Sequence, residues 1–251
     1  MSRPFRLSLT IKLLTPLSSG AAGAGAVMAD KVVVRNGLGE YIVPGSQLRG
    51  TLRHACERLL RALGPTDALC HGPRPEQMCP QVDNTAIRQI PDPYAPDSTI
   101  RCCAICAVFG SPYFPSPLQF HDMVCTNPFR RSGNSPYSSP TEARLGQETI
   151  RPMVSMNRRR GVAEAKRLFF IETTPAQPQL TFSNPQAVVG TLELVAQAKL
   201  LLAGLRMLVS LGGGRSRGLG WMGIAEATAW LDDQQVTSDG WEALRALYDP
   251  A

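Results

Sequence analysis

The chain has 251 residues, 43% hydrophobic and 18% charged, with a formal net charge of +6. That apolar content excludes a disordered chain or a peptide-sized module, and the length suits one large domain or two small ones. The basic excess points to an anionic partner, and Lys199 and Arg206 interrupt the best apolar stretch, residues 188–211, so no membrane span is read. The seven cysteines, an odd set with one Cys-x-x-Cys pair, suit a metal in a reduced compartment better than a disulfide framework. A cytoplasmic location is expected.

In chain order, Arg3, Arg6 and the small residues at 19–26 mimic a secretory leader. However, Phe5, Leu7, Leu9 and Ile11 alternate with Arg6, Ser8, Thr10 and Lys12, the period of a half-buried strand. A Gly/Ala-rich loop over 18–26 follows, then a short strand over 31–35 that ends at Asn36-Gly37. Pro44, Gly45 and Ser46 predict a helix start with Ser46 as the cap. That helix runs through Leu48, Leu52, Leu59, Leu60 and Leu63 to Gly64-Pro65. Residues 70–115 are rich in Pro and Cys with little periodicity, and 118–124 read as a short strand. The polar stretch 126–152 is too long for an ordinary connector. Strands are expected at 168–172 and 179–182, a second helix over about 188–210, a glycine loop over 212–220, and a closing strand at 221–229. This order predicts an α+β fold, a ferredoxin-like βαββαβ core with large insertions.

The charge is concentrated. Between residues 130 and 167 lie nine Lys/Arg (Arg130, Arg131, Arg144, Arg151, Arg158, Arg159, Arg160, Lys166, Arg167) against Glu142, Glu148 and Glu164, a local excess equal to the whole chain's +6. Arginine forks bind phosphate bidentately, so such a patch suits nucleic acid; the alternative is a solvated loop. The loop Gly212-Gly213-Gly214-Arg215-Ser216-Arg217-Gly218-Leu219-Gly220 follows a helix, so it is not a Walker loop, but its glycines let backbone N–H groups approach an anion. Cys103 and Cys106 form one thiolate pair, and Cys70 with Cys79 is the candidate second half of a tetrahedral zinc site. His71 in place of Cys70, or Cys102 in place of Cys103, remains open; Cys56 and Cys125 read as free thiols. His54 reads as structural. His121-Asp122, neighbours in a strand, would face opposite sides. Phe120 and the three Trp read as core. Asp30 stands where the glycine-rich loop meets the valine strand, a place from which a carboxylate can reach a bound backbone, although a lone Asp there is commonly a turn residue.

Several segments together resemble the RAMP proteins of type III CRISPR effector complexes, most closely the Csm/Cmr backbone subunit. They are Asp30-Lys-Val-Val-Val-Arg35, Val43-Pro-Gly-Ser-Gln-Leu-Arg-Gly-Thr-Leu-Arg53, Cys103-Ala-Ile-Cys-Ala-Val-Phe-Gly-Ser111, Leu118-Gln-Phe-His-Asp122, Val154-Ser-Met-Asn-Arg158 with Leu168-Phe169, and residues 212–220. The resemblance implies a single domain over 1–251 with an RRM-related palm, a Cys/Pro-rich zinc insertion at 65–115 like that of III-D and III-E members, and a basic thumb-like insertion at 124–168. It implies that Gly45, Ser46, Gln47, Arg49 and Arg53 grip guide-RNA phosphates, with Gly213, Gly214, Arg215, Ser216 and Arg217 under the same backbone. Met153 to Arg160, with Arg158, Arg159 and Arg160, would form the thumb that splays a nucleotide between guide and target; Asn157 stands where many members carry Asp. Asp30 would cleave paired target RNA, holding a divalent cation such as Mg2+ or accepting the 2′-hydroxyl proton, to leave a 2′,3′-cyclic phosphate and a 5′-hydroxyl. The implied partners are guide CRISPR RNA, target RNA and the other subunits of the complex. A non-catalytic scaffold and a guide-processing endoribonuclease are the alternatives.

Overall fold

The computed structural model describes residues 2–22, 29–64, 69–72, 74–81, 88–126, 148–176, 179–237 and 244. The elements in chain order are β1 (Arg3–Leu13), β2 (Ala21–Ala22), β3 (Lys31–Val32), β4 (Ile42–Val43), α1 (Gly45–Leu63), β5 (Arg88–Asp92), β6 (Ala95–Cys102) and α2 (Ala104–Phe109). They continue with β7 (Leu118–Phe120), β8 (Met123–Cys125), β9 (Thr149–Asn157), β10 (Val162–Thr173), β11 (Thr181–Leu192), α3 (Val195–Arg206), β12 (Met222–Leu231) and β13 (Gln234–Val236). Helical elements and sheets thus mix in one α+β fold.

β1 follows its alternation. Phe5, Leu7, Leu9, Ile11 and Leu13 are buried, while Arg6 and Lys12 are exposed on the other face. It is the central strand of the main sheet, whose order is β13-β12-β1-β11-β8-β4, with β7 also on β11. β1 is antiparallel to both β11 and β12, and β11 is antiparallel to β7 and β8. The chain between β1 and the β7–β8 pair, which carries β4 and α1, therefore passes across β11, and α3 links β11 to β12 across β1. The register of β1 and β11 shifts between Leu7 and Leu9, opposite Val188 and Asn184. Pro185 falls in that irregularity, where its missing N–H costs no ladder bond.

The start of α1 departs from the expected Ser46 cap. Pro44 is the residue before the helix and Ser46 lies exposed in the first turn; the cap comes instead from Asp122, whose Oδ1 accepts from Gly45 N at 2.7 Å. Leu48, Leu52, Ala55, Cys56 and Leu60 of α1 bury into one core with Leu7, Leu9, Phe182 and Leu200. Gly204 of α3 lets the two helices close: a Cβ there would stand 2.5 Å from Cys56 Sγ.

The second helix starts later than 188. Val188 to Leu192 extend β11, because β1 and β7 claim those backbone groups and the β-branched valines suit a pleated surface. The buried Gln197 then caps α3, its Oε1 accepting from Glu193 N at 2.9 Å and Leu194 N at 3.0 Å.

Residues 88–109 contain the β5–β6 hairpin and α2, regular structure that lacks an amphipathic signature. A separate four-stranded sheet runs β2-β3-β10-β9. Its β9–β10 hairpin begins before the expected strand at 168: β9 alternates exposed with half-buried positions, its apolar Ile150, Val154 and Met156 being on the exposed side, and Val162 to Leu168 of β10 are all exposed, with no buried face to mark the strand. The expected strand over 31–35 shortens to β3, with an isolated bridge from Arg35 to Tyr41.

Candidate functional site

The four cysteines come together. Cys70 follows α1, Cys79 follows the short turn Pro75–Gln77, Cys103 precedes α2 and Cys106 lies within it; all four are buried, with every Sγ within 4.8 Å of the others. Cys70 Sγ is 3.4 Å from Cys106 Sγ and 3.7 Å from Cys103 Sγ, and Cys103 N donates to Cys79 Sγ at 3.3 Å. Zinc–sulfur bonds of about 2.3 Å in a tetrahedron place sulfurs about 3.8 Å apart, so the quartet fits such an ion. The open alternatives close in favour of Cys70 and Cys103: His71 is exposed, and Cys102 ends β6 outside the quartet. Hydrogen bonds from Cys106, Cys70 and Cys79 hold the Cys103 thiol well below its ordinary pKa, while the same Cys103 pushes Cys106 and Cys79 up. Cys56 is a buried thiol, donating to Leu200 O at 3.6 Å, and burial raises its pKa.

Arginines of α1 face this module. Arg49 Nη2 donates to Phe109 O, and Arg53 donates from Nη1 to Gly110 O at 2.8 Å, from Nη2 to Cys106 Sγ at 3.5 Å and from Nε to Glu57 Oε1 at 3.0 Å. Burial opposes the Arg53 charge, yet Cys106 and Glu57 hold its pKa above the ordinary value.

Asp30 is exposed at the entry to β3, where it pairs with β10: Asp30 N donates to Phe170 O at 2.9 Å, and Phe170 N donates to Asp30 Oδ2 at 2.7 Å. One step along, Val33 N donates to Glu172 Oε2 at 2.9 Å. Residues 23–28 of the preceding loop lie outside the described residues.

The glycine loop is clamped to the segment that follows β1. Gly213 N donates to Ser18 O and Gly220 N to Pro16 O, both at 2.8 Å. Glycine is required at 220, with φ +69°, because a Cβ would stand 1.8 Å from Leu211 O. Gly214 and Gly218 take left-handed conformations around a 3-10 turn, Arg215–Arg217, that exposes Arg215, Ser216 and Arg217.

The same segment gathers the other motifs. Ser19 Oγ accepts from Val34 N at 2.8 Å, Ser19 O accepts from Gln47 Nε2 at 3.4 Å, and Leu17 exchanges two 2.9 Å bonds with Thr174 at the end of β10. Residues 16–19 thus tie together the Asp30 strand, the start of α1, the glycine loop and the base of the β9–β10 hairpin. Gly45 sits so close to β7 that a Cβ would be 2.2 Å from Phe120 O. Sequence reasoning missed Ser18, Ser19 and Thr174, all buried, because short polar residues in a loop carry no periodic signal.

At the hairpin tip, Asn157 Oδ1 accepts from Arg159 N at 3.1 Å and Arg160 N at 3.0 Å, and its Nδ2 donates to Glu164 at 2.7 Å. Arg158, Arg159 and Arg160 are exposed there. Ile150, Val154 and Met156, at alternate positions of β9, with Leu168 opposite Val154, form an exposed apolar stripe. Arg217 Nη1 contacts Met153 Sδ at 3.0 Å and links the glycine loop to the hairpin. Arg130, Arg131 and Arg144 lie outside the described residues, as does Trp241. Trp221, expected in the core, is 49% exposed beside the glycine loop. Trp230 lies under Arg6, whose guanidinium carbon is 4.5 Å from the ring centroid.

No helix among the described residues is long and apolar enough to cross a membrane. No curated protein matches the chain. Residues 10–223 match the family model described as the RAMP superfamily.

Proposed function

The chain belongs to the RAMP superfamily, and on that premise we propose that it is the guide-RNA-binding backbone subunit of a type III CRISPR ribonucleoprotein, cleaving paired target RNA at Asp30. The observation that carries the reading is the convergence of four RNA-facing motifs on residues 16–19. The crossover of α1 and α3 over antiparallel neighbours supports a ferredoxin-like palm. The buried cysteine quartet supports the zinc insertion of III-D and III-E members.

In this reading the start of α1, at Gly45, Ser46 and Gln47, offers backbone N–H groups to a guide phosphate. Gly213, Gly214 and Ser216 approach the same backbone closely, and Arg215 and Arg217 supply charge. The β9–β10 hairpin acts as the thumb: its apolar stripe receives unstacked bases, while Arg158, Arg159 and Arg160 hold phosphates. RNA carries its own nucleophile, so the protein's task is to hold one splayed phosphodiester for in-line attack. The Asp30 carboxylate accepts the 2′-hydroxyl proton, the 2′-oxygen bonds to phosphorus, and the 5′-oxygen leaves and takes a proton from solvent. Products are a 2′,3′-cyclic phosphate and a 5′-hydroxyl, and DNA resists. In the alternative role for this carboxylate, with Oδ2 engaged by Phe170 N, Oδ1 would instead hold a divalent cation such as Mg2+, which would supply charge neutralisation at the phosphate.

The test is target-RNA cleavage by the assembled complex, wild type against Asp30→Ala, at saturating divalent cation. Loss of a cut with guide and target still bound is expected; unchanged cutting overturns the nuclease assignment. The Asp30–Phe170 bonds also suit a purely structural turn, which favours the scaffold reading in that second outcome.

A further inference from the structure

α1 carries Arg49, Arg53, Glu57 and Arg61 at four-residue steps, so their side chains share one face of the helix. That face holds both cysteine segments. Arg61 Nη2 donates to Cys70 O at 3.0 Å; Arg49 and Arg53 satisfy the carbonyls of Phe109 and Gly110 at the end of α2. Arg53 also reaches a metal-binding sulfur directly, with Nη2 3.5 Å from Cys106 Sγ, while Glu57 fixes its other edge through Nε.

We infer that Arg53 is a positioning residue of the cysteine metal centre, donating to the Cys106 thiolate and balancing the anionic tetrathiolate site, rather than a ligand of guide-RNA phosphate. A dication on four thiolates leaves a net charge of about −2, and a buried charge is costly without a partner. Arg53 supplies that partner from a neighbouring element, and one planar guanidinium bonds sulfur, carbonyl and carboxylate together. Outer-shell donors of this kind orient ligands and tune their basicity. This assignment rests on the reading of the quartet as a zinc centre. It gives α1 two ends with separate tasks, an RNA-facing start at Gly45 to Gln47 and a metal-facing stripe from Arg49 to Arg61.

The experiment uses the full chain with Zn2+ or Co2+ bound, comparing wild type, Arg53→Gln, Arg53→Lys and, as a control on the exposed side of the helix, His54→Ala. Zn2+ affinity by chelator competition should fall about 10- to 100-fold in Arg53→Gln and less in Arg53→Lys. The sulfur-to-Co2+ charge-transfer band should shift in both, since a lysine ammonium cannot reproduce the forked contact, and stay unchanged in His54→Ala. If Arg53→Gln fails to fold, Arg53→Lys carries the test. Wild-type affinity and an unshifted band in a folded Arg53 variant overturn the inference. So does a fall of about one in the salt slope of RNA binding with metal affinity intact, the signature of a lost phosphate contact. A wild-type chain that binds neither ion overturns the zinc centre itself, a result distinct from a loaded wild type matched by its variants.

Discussion

Asp30 and Phe170 are joined by two hydrogen bonds, one between backbones at 2.9 Å and one from Phe170 N to Asp30 Oδ2 at 2.7 Å. The carboxylate therefore holds the loop onto β10 as well as facing solvent. Asp30→Asn keeps an acceptor for Phe170 N and removes the charge; Asp30→Ala removes both. Asp30→Asn should lose cleavage with little loss of stability, and Asp30→Ala should lose cleavage and about 1 kcal/mol besides. Urea unfolding of both variants, beside cleavage by the assembled complex, checks this.

Gly220 and Gly218 both have positive φ, but only Gly220 abuts backbone, the Leu211 carbonyl; around Gly218 there is open space. Gly218→Ala should cost about 1–2 kcal/mol for its left-handed conformation. Gly220→Ala should cost more than that and displace Arg215 and Arg217, weakening RNA binding. Denaturation midpoints and RNA binding at fixed salt separate the two variants.

Asp122 caps α1 from another part of the chain. Asp122→Ala should lower stability by about 0.5–2 kcal/mol, the usual range for a lost N-cap, with Asp122→Asn milder. Thermal unfolding of the two variants tests this, and a null effect for Asp122→Ala would contradict the cap.

Zinc binding needs thiolates, so protons compete with the ion and acidification should release it. Zinc release followed by a chromophoric chelator should accelerate as pH falls, and a strong chelator at neutral pH should destabilise residues 69–110. Cys79→Ser should weaken retention, whereas Cys56→Ser, outside the quartet, should leave it unchanged. Equal retention in the two variants would place Cys79 outside the centre.

The parts of this protein legible in its sequence are those written locally. The alternation of Phe5 to Leu13 specifies a strand with one buried face, and the Cys-x-x-Cys spacing and the clustered glycines announce a thiolate pair and a tight loop. Where local signals are weak, the sequence says less: Val162 to Leu168 of β10 are all exposed, so no buried face marks where that strand begins.

What only the tertiary structure decided is which distant groups meet. Val188 to Leu192 look helical until β1 and β7 claim their backbone. Ser46 looks like a cap until Asp122 reaches Gly45, and nothing local to α1 announces that α2 brings Cys106 Sγ within 3.5 Å of Arg53 Nη2. The choice of Cys103 over Cys102 and the hub at residues 16–19 belong to the same class. Local periodicity encodes which face of an element is buried; a hydrogen bond between residues far apart in the chain exists only once packing has removed water and brought both partners into line.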